Sequence, residues 1–416
     1  MQAKILIVDH QHLTRIFQGK IVEQIGHQAI YAESSTDAIN SVSCDAIDLV
    51  VMNADLPDMD GYQTCQLIRQ LPSHVPVILT IAVKSIESIE KAFASGAQDF
   101  LCNPIIPTEL KARVNNWLSQ SQHRADLEKK INLYKKFIPE VFIGSNNGLS
   151  LHFDRTFDMA CRNEEELSTM FVDIRNFPSL SDHLSSKECF NFLSNYFTKL
   201  EPIVQSFKGS VYQYQGDGIL SIFPLSSGHS DNSLHSAVSL VDAVKIYNRG
   251  RQRAGYQSID VGVGLHTGPV SLGVAGTKQR MSSGVFGPTV NCASRCEALS
   301  EKYQADIIVT EFTLAQLANP GAFMFRFLGK ENIAGFGKPV GIYEVYNSNS
   351  PACREEKVRN SSKIHQIIEG LQRVNAKEIE GLLEELVKTS TLDPLPLFLQ
   401  KTYFSQAKNK FYLSDN

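Results

Sequence analysis

The chain has 416 residues, of which 43% are hydrophobic and 20% are charged, and its formal net charge is -4. This length suits two or three domains, and the near-neutral charge argues against the strongly basic class of nucleic-acid-binding proteins. The apolar runs, such as residues 75–83, are too short to cross a bilayer, and the N-terminus lacks a signal-peptide layout. We therefore expect a cytoplasmic protein with no membrane-inserted segment and no nucleic-acid partner.

The N-terminal part of the chain alternates apolar runs with segments of helical periodicity. The apolar runs predict buried strands at residues 4–9, 29–32, 49–52, 77–81 and 100–101. Strands that alternate with helices predict a doubly wound parallel sheet, in which the functional site lies at the carboxyl ends of the strands. Asp9, Asn53 and Asn103 stand at that edge.

Three motifs follow one another within residues 4–117: ILIVD at 5–9, LPDMDG at 56–61 and GAQDFLCNP at 96–104. Together they resemble the receiver domain of two-component response regulators. The resemblance implies a phosphoryl-accepting aspartate where this chain has Asn53, and an amide has no nucleophilic oxygen that could form an acyl phosphate. The paired acids after the first strand are reduced to Asp9 with His10, and the expected lysine is Asn103.

Because the acceptor, the lysine and one acid are replaced, we predict a degenerate receiver-like domain that works without phosphorylation. Such a module would serve for dimerisation or for docking a signalling partner protein. Two alternatives stay open. Asp55 or Asp58 would replace the acceptor in a shifted geometry, which would make the protein a phosphorylation-controlled response regulator, and Thr80 instead of Ile81 would supply the hydroxyl of the fourth strand.

Residues 119–137 are polar and charged and carry one apolar stripe. Its members recur at spacings of four, three and four: Leu127, Ile131, Tyr134 and Ile138. This spacing predicts a helix that pairs with its copy in a dimer, although an ordinary amphipathic helix explains so short a stripe equally well. Residues 145–150 then predict a Gly/Asn/Ser-rich loop.

Two acids follow at strand ends in the next part of the chain. Asp217 lies between two glycines in an alternating apolar pattern, which predicts a β-hairpin with a carboxylate at its tip. Asp173 ends an apolar strand. Either acid alone is typical of a turn. Two acids that one sheet brings together attract cations, and Mg²⁺ prefers a few carboxylates with phosphate oxygens.

A third element begins at residue 287 and predicts a helix. Asn291 and Arg295 are four residues apart, so they share one face of that helix. An amide beside a guanidinium can hold a ribose oxygen and a phosphate whose negative charge is growing. For this pair alone, a solvated helix face is the common alternative.

Four motifs occur in order within residues 163–346: FVDIRNF at 171–177, GDG at 216–218, GLHTG at 264–268 and VNxAxR at 290–295. Together they resemble the class III adenylate/guanylate cyclase domain. The resemblance implies a ferredoxin-like α+β fold and a head-to-tail homodimer with the active site between the subunits. Asp173 and Asp217 would come from one subunit, and Asn291 and Arg295 from the other.

The reaction implied by this resemblance is attack of a ribose 3′-oxygen on the α-phosphorus of a nucleoside triphosphate, with release of pyrophosphate. Two ions, Mg²⁺ or Mn²⁺, would be held by Asp173 and Asp217, with Ile174 as a further metal contact. Arg295 would stabilise charge on the α-phosphate, and Asn291 would orient the ribose. The presence of all four polar residues favours an active enzyme.

The positions that select the base depart from the family pattern. Gln213 stands where adenylate cyclases have Lys and guanylate cyclases have Glu, and Gly284 stands where Asp, Thr or Cys is usual. A basic residue used on the triphosphate is replaced by Ala334, with Lys338 nearby. ATP is favoured by analogy with bacterial members of the family. The alternative is a catalytically weak or inactive scaffold that binds nucleotide and signals by dimerising.

The last part of the chain begins with a Ser/Asn/Pro linker at residues 347–351 and continues with helical periodicity at 363–371 and 376–386. It resembles a degenerate tetratricopeptide-type helix pair, with a plain helical cap as the alternative. One such pair cannot bury its apolar face alone and should pack on the catalytic domain or on a partner. The predicted divisions are a receiver-like domain, a helical linker, a catalytic domain and a helical tail at residues 1–118, 119–162, 163–347 and 348–416.

Overall fold

The computed structural model describes residues 2–72, 75–82, 85–139, 163–224, 228–277, 280–373 and 376–402. The chain divides into two compact units, Met1–Tyr134 and Lys135–Asn416. The loop predicted at residues 145–150 lies outside the described residues. Among the helices of the described ranges, none has the length and apolar character needed to span a bilayer.

The first unit is the doubly wound sheet that its sequence predicts. Its five parallel strands lie in the order β2-β1-β3-β4-β5. The strands are β1 Lys4–Val8, β2 Gln28–Ala32, β3 Leu49–Asn53, β4 Val77–Ile81 and β5 Asp99–Cys102. The helices are α1 His12–Gln24, α2 Ser35–Cys44, α3 Gly61–Gln70, α4 Ile86–Ala94 and α5 Pro107–Lys135. The central strands β3 and β4 are buried along their whole length, because a parallel sheet has helices on both faces.

Helix α5 continues well past the sheet. Leu110 and Val114 are buried in the first unit, whereas Leu127, Ile131 and Tyr134 of the predicted stripe are exposed. The helix ends at Lys135, so Ile138, predicted as the fourth member of the stripe, lies beyond it. Self-pairing through this stripe stays a prediction.

The second unit is built on a mixed sheet of eight strands in the order β12-β13-β11-β9-β6-β8-β7, with β10 paired to β9. Its strands are β6 Asn163–Ile174, β7 Ser210–Gln215, β8 Gly218–Pro224, β9 Val261–Thr277, β10 Arg280–Phe286, β11 Ile307–Thr310, β12 Phe325–Glu331 and β13 Val340–Val345. Its helices are α6 Phe177–Ser181, α7 Ser186–Ser206, α8 His229–Arg253, α9 Pro288–Lys302, α10 Glu311–Ala315, α11 Pro351–Arg373 and α12 Ala376–Thr389, with a 3-10 turn at Pro320–Ala322.

The predicted ferredoxin-like arrangement is confirmed in the middle of this sheet. The segment β6-α7-β7-β8-α8-β9 has its strands in the spatial order β9-β6-β8-β7. Helices α7 and α8 pack on one face, where Tyr196, Phe223 and Val263 share a buried cluster. This order places β6 between β8 and β9, so the end of β6 is supported from both sides.

The C-terminal helices share the second hydrophobic cluster with α9. Ile364 and Ile367 of α11 and Leu383 of α12 lie in one buried cluster with Cys296 and Leu299 of α9. Helix α11 begins at Pro351, earlier than predicted, because Pro351 suits the first helical position and the Ser350 hydroxyl accepts from the Cys353 amide at 3.4 Å. The tail is therefore packed into the second unit.

A buried ion network also holds the tail. Arg326 of β12 donates to Glu344 at 2.5 Å and to both carboxylate oxygens of Asp393 at 2.5 and 2.8 Å. Lys357 of α11 donates to Glu344 at 2.6 Å. All four side chains are buried. Two positive and two negative charges balance here, so the interior carries no net charge at this point.

We expect Asp393→Ala to destabilise the second unit by about 3–5 kcal/mol, because it leaves the buried Arg326 guanidinium without its bidentate acceptor. Urea unfolding of the full chain, followed by circular dichroism, measures this loss. Glu128→Gln is the control, since it removes the exposed Arg124–Glu128 pair, which should contribute only about 0.3–0.5 kcal/mol. Equal losses for both variants would contradict the assignment.

Candidate active site

The tip of the β7–β8 hairpin presents Asp217. Only Gly216 and Asp217 separate the two strands, and Gly216 has a φ of +66°, which a side chain would disfavour. The carboxylate of Asp217 accepts a hydrogen bond from the backbone N–H of Ile174 at 3.2 Å. The hairpin therefore holds this acid against the end of strand β6.

Asp173 lies at that same strand end, directly before Ile174. Its neighbour Val172 pairs with Ile219 of β8, and Asp173 itself pairs with Gly262 of β9. A Cβ added at Gly218 would lie 3.3 Å from Asp173 Oδ1, so this glycine leaves room for the carboxylate. The structure thus brings the two acids that the sequence predicts into direct contact.

Burial and the neighbouring acids together govern the protonation of Asp173. The pKa of Asp173 is raised to about 8 by burial first, and then by the hydrogen bond and the charge of Asp217 and by the charge of Glu297. A hydrogen bond to the backbone of Ile174 opposes this rise. Asp173 therefore keeps its proton more readily than an ordinary carboxyl unless a positive charge replaces it.

The acid pair fits a divalent cation that takes further ligands from elsewhere. Within the ranges that the structure describes, no group of three or more His, Cys, Asp or Glu side chains is arranged to hold a metal. Two carboxylates alone match the habit of Mg²⁺, which completes its shell with water and phosphate oxygens. The side chain of Ile174 is apolar and buried, so this residue can serve an ion only through its backbone.

Within the described part of the chain, neither Asn291 nor Arg295 makes a hydrogen bond or ion pair with Asp173 or Asp217. Both are exposed on α9, whose opposite face buries Ala293 and Ser300. Arg295 has no hydrogen bond or ion pair with any described residue. Their side chains are therefore free to meet a molecule outside this chain.

The sequence analysis missed Glu297, which stands on α9 two residues after Arg295. Its pKa is raised to about 7 by burial, against the opposing charge of Arg175, with smaller contributions from Glu301 and Asp217. Among the residues of α9, Glu297 is the one whose charge acts on Asp173. The only sequence signal was an acid on the face of α9 opposite Arg295.

The two positions predicted to select the base lie on neighbouring hairpins. Gln213 is exposed on β7, and Gly284 is buried on β10 opposite Gly273. The hydroxyl of Tyr212 donates to the carbonyl of Ser283 at 2.6 Å and so joins the two hairpins. A Cβ at Gly284 would overlap the ring of Phe286. The aromatic ring thus occupies the space of the side chain that the family pattern led us to expect.

The basic position of the family pattern is filled by no buried cation here. Ala334 and Lys338 are both exposed in the segment between β12 and β13. His266 of the GLHTG motif is buried, and its Nδ1 lies 2.8 Å from the Thr310 hydroxyl. Part of that motif therefore serves the core.

In the first unit, Asp9 and Asn53 lie together at the sheet edge. The Asn53 amide donates to the Asp9 carboxylate at 3.3 Å, and Asp9 also accepts from the backbone N–H of Gln11 at 2.8 Å. Asn103 follows β5 and is half-buried. Thr80 lies opposite Asn53 and is buried. An amide thus stands at the position where a receiver site has its phosphoryl-accepting acid.

Asp58 has a structural role in the first unit. Its carboxylate accepts from the backbone N–H groups of Ser35 and Thr36 at 3.0 and 3.1 Å, at the start of α2. Hydrogen bonding from Ser35 holds its pKa well below the ordinary range. Its oxygens are committed to the helix N-terminus, which argues against Asp58 as a phosphoryl acceptor.

Comparison with known proteins identifies both units. Residues 159–346 match the adenylate and guanylate cyclase catalytic domain, and residues 5–115 match the response regulator receiver domain. The chain thus joins a receiver domain to a class III adenylate/guanylate cyclase catalytic domain, as the motifs predict.

Several known proteins are similar to parts of this chain. An adenylate cyclase of Anabaena cylindrica is 30% identical over 53% of this chain and 44% of its own length. Adenylate cyclase 1 of Rhizobium meliloti is 28% identical over 44% of this chain and 27% of its own length. The chain therefore spans less than half the length of these curated relatives. The crystal structure of the adenylyl cyclase CyaB from P. aeruginosa is 26% identical, with a TM-score of 0.42 over 45% of this chain and 97% of that one.

We expect Asp173→Asn to stabilise the metal-free protein. A carboxyl whose pKa rises from 3.8 to about 8 on folding binds its proton more tightly in the folded state. Its effect on stability therefore becomes less favourable as pH rises through that interval. Asparagine removes this dependence, and after solvent screening the gain above about pH 8 is about 1 kcal/mol.

Thermal unfolding in EDTA at about pH 5 and about pH 9 measures this gain, which should appear mainly at the higher pH. Asp182→Asn, at an exposed acid, is the control. A gain of the same size at both pH values would show that ionisation of Asp173 does not destabilise the folded protein.

We expect Asn53→Asp to destabilise the first unit in the absence of divalent cations. The change places a second carboxylate beside Asp9, at a contact of 3.3 Å between two buried side chains. Such pairs raise one carboxyl pKa strongly, which corresponds to at least about 1 kcal/mol at neutral pH. Added Mg²⁺ should restore the thermal midpoint of this variant and leave the wild type unchanged. Stabilisation of both proteins by Mg²⁺ would contradict this account.

Proposed function

We propose that this protein is a nucleotidyl cyclase that converts a nucleoside triphosphate into a 3′,5′-cyclic nucleotide and pyrophosphate at the interface of a homodimer. The observation that carries this proposal is the separation of two half-sites in one chain. Asp173 and Asp217 are in contact at one place, whereas Asn291 and Arg295 are exposed at another. A second copy of the chain supplies the missing half of each site.

In this proposal, Asp173, Asp217 and the backbone at Ile174 would hold two Mg²⁺ or Mn²⁺ ions. When bound, such ions favour loss of the ribose 3′-proton and neutralise the leaving pyrophosphate. The raised pKa of Asp173 supports the assignment, because a half-buried acid pair of this kind is relieved by positive charge.

The remaining chemistry belongs to the helix of the opposite subunit. The 3′-oxygen forms a bond to the α-phosphorus, the bond from that phosphorus to the bridging oxygen of pyrophosphate breaks, and the 3′-proton leaves to solvent. Arg295 stabilises the charge that grows on the α-phosphate, and Asn291 orients the ribose. Loss of one such donor typically costs about 3 kcal/mol, which is two to three powers of ten in rate.

We favour ATP as the substrate, since the curated relatives that match the catalytic domain are named adenylate cyclases. Gln213 can both donate and accept hydrogen bonds, so it does not select one purine by itself. Gly284 contributes backbone only, beside the ring of Phe286. The proposed pocket therefore offers the base fewer charged side chains than the family pattern implies.

The first unit in this proposal is a regulatory domain that does not depend on phosphorylation. The hydrogen bond from Asn53 to Asp9 occupies the site at which a receiver would carry its acyl phosphate. The unit would act through a signalling partner protein or through self-association. A cytoplasmic location belongs to the same proposal, because nucleoside triphosphates are the substrates.

The direct test offers purified protein ATP, GTP, CTP and UTP separately with Mn²⁺ and identifies the products by mass spectrometry. A cyclic nucleotide with an equal amount of pyrophosphate supports the enzyme. Nucleotide binding without turnover would instead support the second candidate, a nucleotide-binding scaffold, which the atypical Gln213, Gly284 and Ala334 favour.

We expect two inactive variants to restore activity when they are mixed. Asp173→Ala removes one half-site and Arg295→Ala removes the other, so each homodimer lacks a working site. A mixed dimer contains one intact site, and random pairing should recover up to about a quarter of the wild-type rate. Mixtures that stay inactive, with dimers confirmed by mass photometry, would contradict the shared-site proposal. Asp173→Ala mixed with Asp217→Ala is the negative control, because both changes affect the same half-site.

A further inference from the structure

Helix α9 presents polar residues on two opposite faces. Asn291 and Arg295 are exposed on the outer face. Glu297 follows Arg295 by two residues, which is about 200° around an α-helix, and it is half-buried on the face toward the sheet. One helix therefore carries groups for two different surroundings.

Glu297 lies over the strand next to the acid pair. A Cβ at Gly262 of β9 would stand 2.8 Å from Glu297 Oε1. Gly262 is the direct partner of Asp173 across the β6–β9 pair, and directly opposed residues in an antiparallel pair point to the same face. Glu297 and Asp173 thus lie on one face of the sheet, over neighbouring strands.

Helix α9 packs so closely on strand β9 that two glycines of the strand have no room for a side chain. A Cβ at Gly262 would also overlap the Ser300 hydroxyl, and a Cβ at Gly264 would overlap the backbone of α9 at Ala293 and Glu297. Both positions therefore require glycine for the helix to lie directly on the strand. A displacement of the strand end near Asp173 must then be transmitted to α9.

Arg175 makes a second link between the same elements. It follows Asp173 by two residues and donates to the carbonyl of Ala305 at 2.5 Å and more weakly to that of Ser300 at 3.4 Å. The Ser300 carbonyl also accepts from the backbone N–H of Ala305 at 2.9 Å, and it lies near the C-terminus of α9, where a cation is favourable. The positive charge of Arg175 also favours the ionised form of Glu297 and so acts to lower the pKa of that carboxyl.

We propose that Glu297 is a positioning residue that couples the acid pair of its own subunit to the orientation of α9, and hence to the site that α9 completes in the partner subunit. This inference rests on the proposed homodimeric cyclase. Positive charge gathered by Asp173 and Asp217 attracts the Glu297 carboxylate and repels Arg175. The first force acts directly on α9, and the second reaches α9 through the hydrogen bond from Arg175 to the Ser300 carbonyl. The outer face of this helix carries Asn291 and Arg295. The state of one active site thus alters the geometry of the other.

The test uses heterodimers purified through two different affinity tags. The first subunit carries Arg295→Ala, so only the site formed by its acids and the α9 of the second subunit works. Glu297→Gln is then placed in either subunit. In the second subunit it lies away from the acids of the working site and can act only through α9. Glu301→Gln, an exposed acid one turn further along α9, is the matched control.

With Glu297→Gln in the second subunit, we expect kcat of the working site to fall about tenfold, since small misplacements of a catalytic group are costly. The apparent Mn²⁺ constant should stay unchanged. The same change in the first subunit should raise the apparent Mn²⁺ constant. An unchanged kcat in the first arrangement overturns the coupling. A reference heterodimer without any activity would instead count against the proposed function itself.

A second measurement does not depend on turnover. Amide hydrogen exchange in the wild-type homodimer should slow in α9 when Mn²⁺ is added without nucleotide, and Glu297→Gln should abolish that change. Equal slowing in both proteins overturns the proposal. Thermal midpoints of the two proteins in EDTA exclude misfolding as the cause of a lost response.

Discussion

The second unit depends on one unfavourable contact, that between the carboxylates of Asp173 and Asp217. These two carboxylates repel each other when both are charged, and partial burial strengthens that repulsion. The fold holds them together through a strand supported on both sides and a glycine-flanked hairpin whose acid is fixed by the Ile174 amide. Local strain of this kind is typical of a functional site, since the rest of the fold must be stable enough to maintain it.

The first unit avoids such repulsion between neighbouring carboxylates at the edge of its sheet. At the edge of its sheet an amide, Asn53, stands beside the buried acid Asp9 and donates a hydrogen bond to it. This replacement removes the repulsion and, with it, the reason to bind a cation. One sheet edge of this chain therefore carries two neighbouring acids, and the other carries an acid beside an amide. This difference fits the catalytic role proposed for the second unit and the docking role proposed for the first.

The C-terminal helices α11 and α12 pack together with α9, the helix that carries Asn291 and Arg295. They share a hydrophobic cluster with α9, and the buried network of Arg326, Glu344, Lys357 and Asp393 joins them to the outer strands. Helix α9 is thus confined between the sheet and the tail. A helix packed closely on two sides responds to a force as one rigid unit. A force on Glu297 at one face can then shift Asn291 and Arg295 at the other.

Sequence alone determined the five strands of the first unit and the β7–β8 hairpin, whose apolar runs and alternation are local. It also determined the position of Asp217 at the hairpin tip, because a glycine on either side dictates a tight turn. It also placed Asn291 and Arg295 on one helix face, since that spacing is a property of the helix. Tertiary structure decided which strand α9 lies on, that Glu297 faces the acid pair, that Phe286 fills the space at Gly284, and that the tail packs against α9. These facts depend on strand order and on contacts between residues far apart in the chain, which no local periodicity encodes.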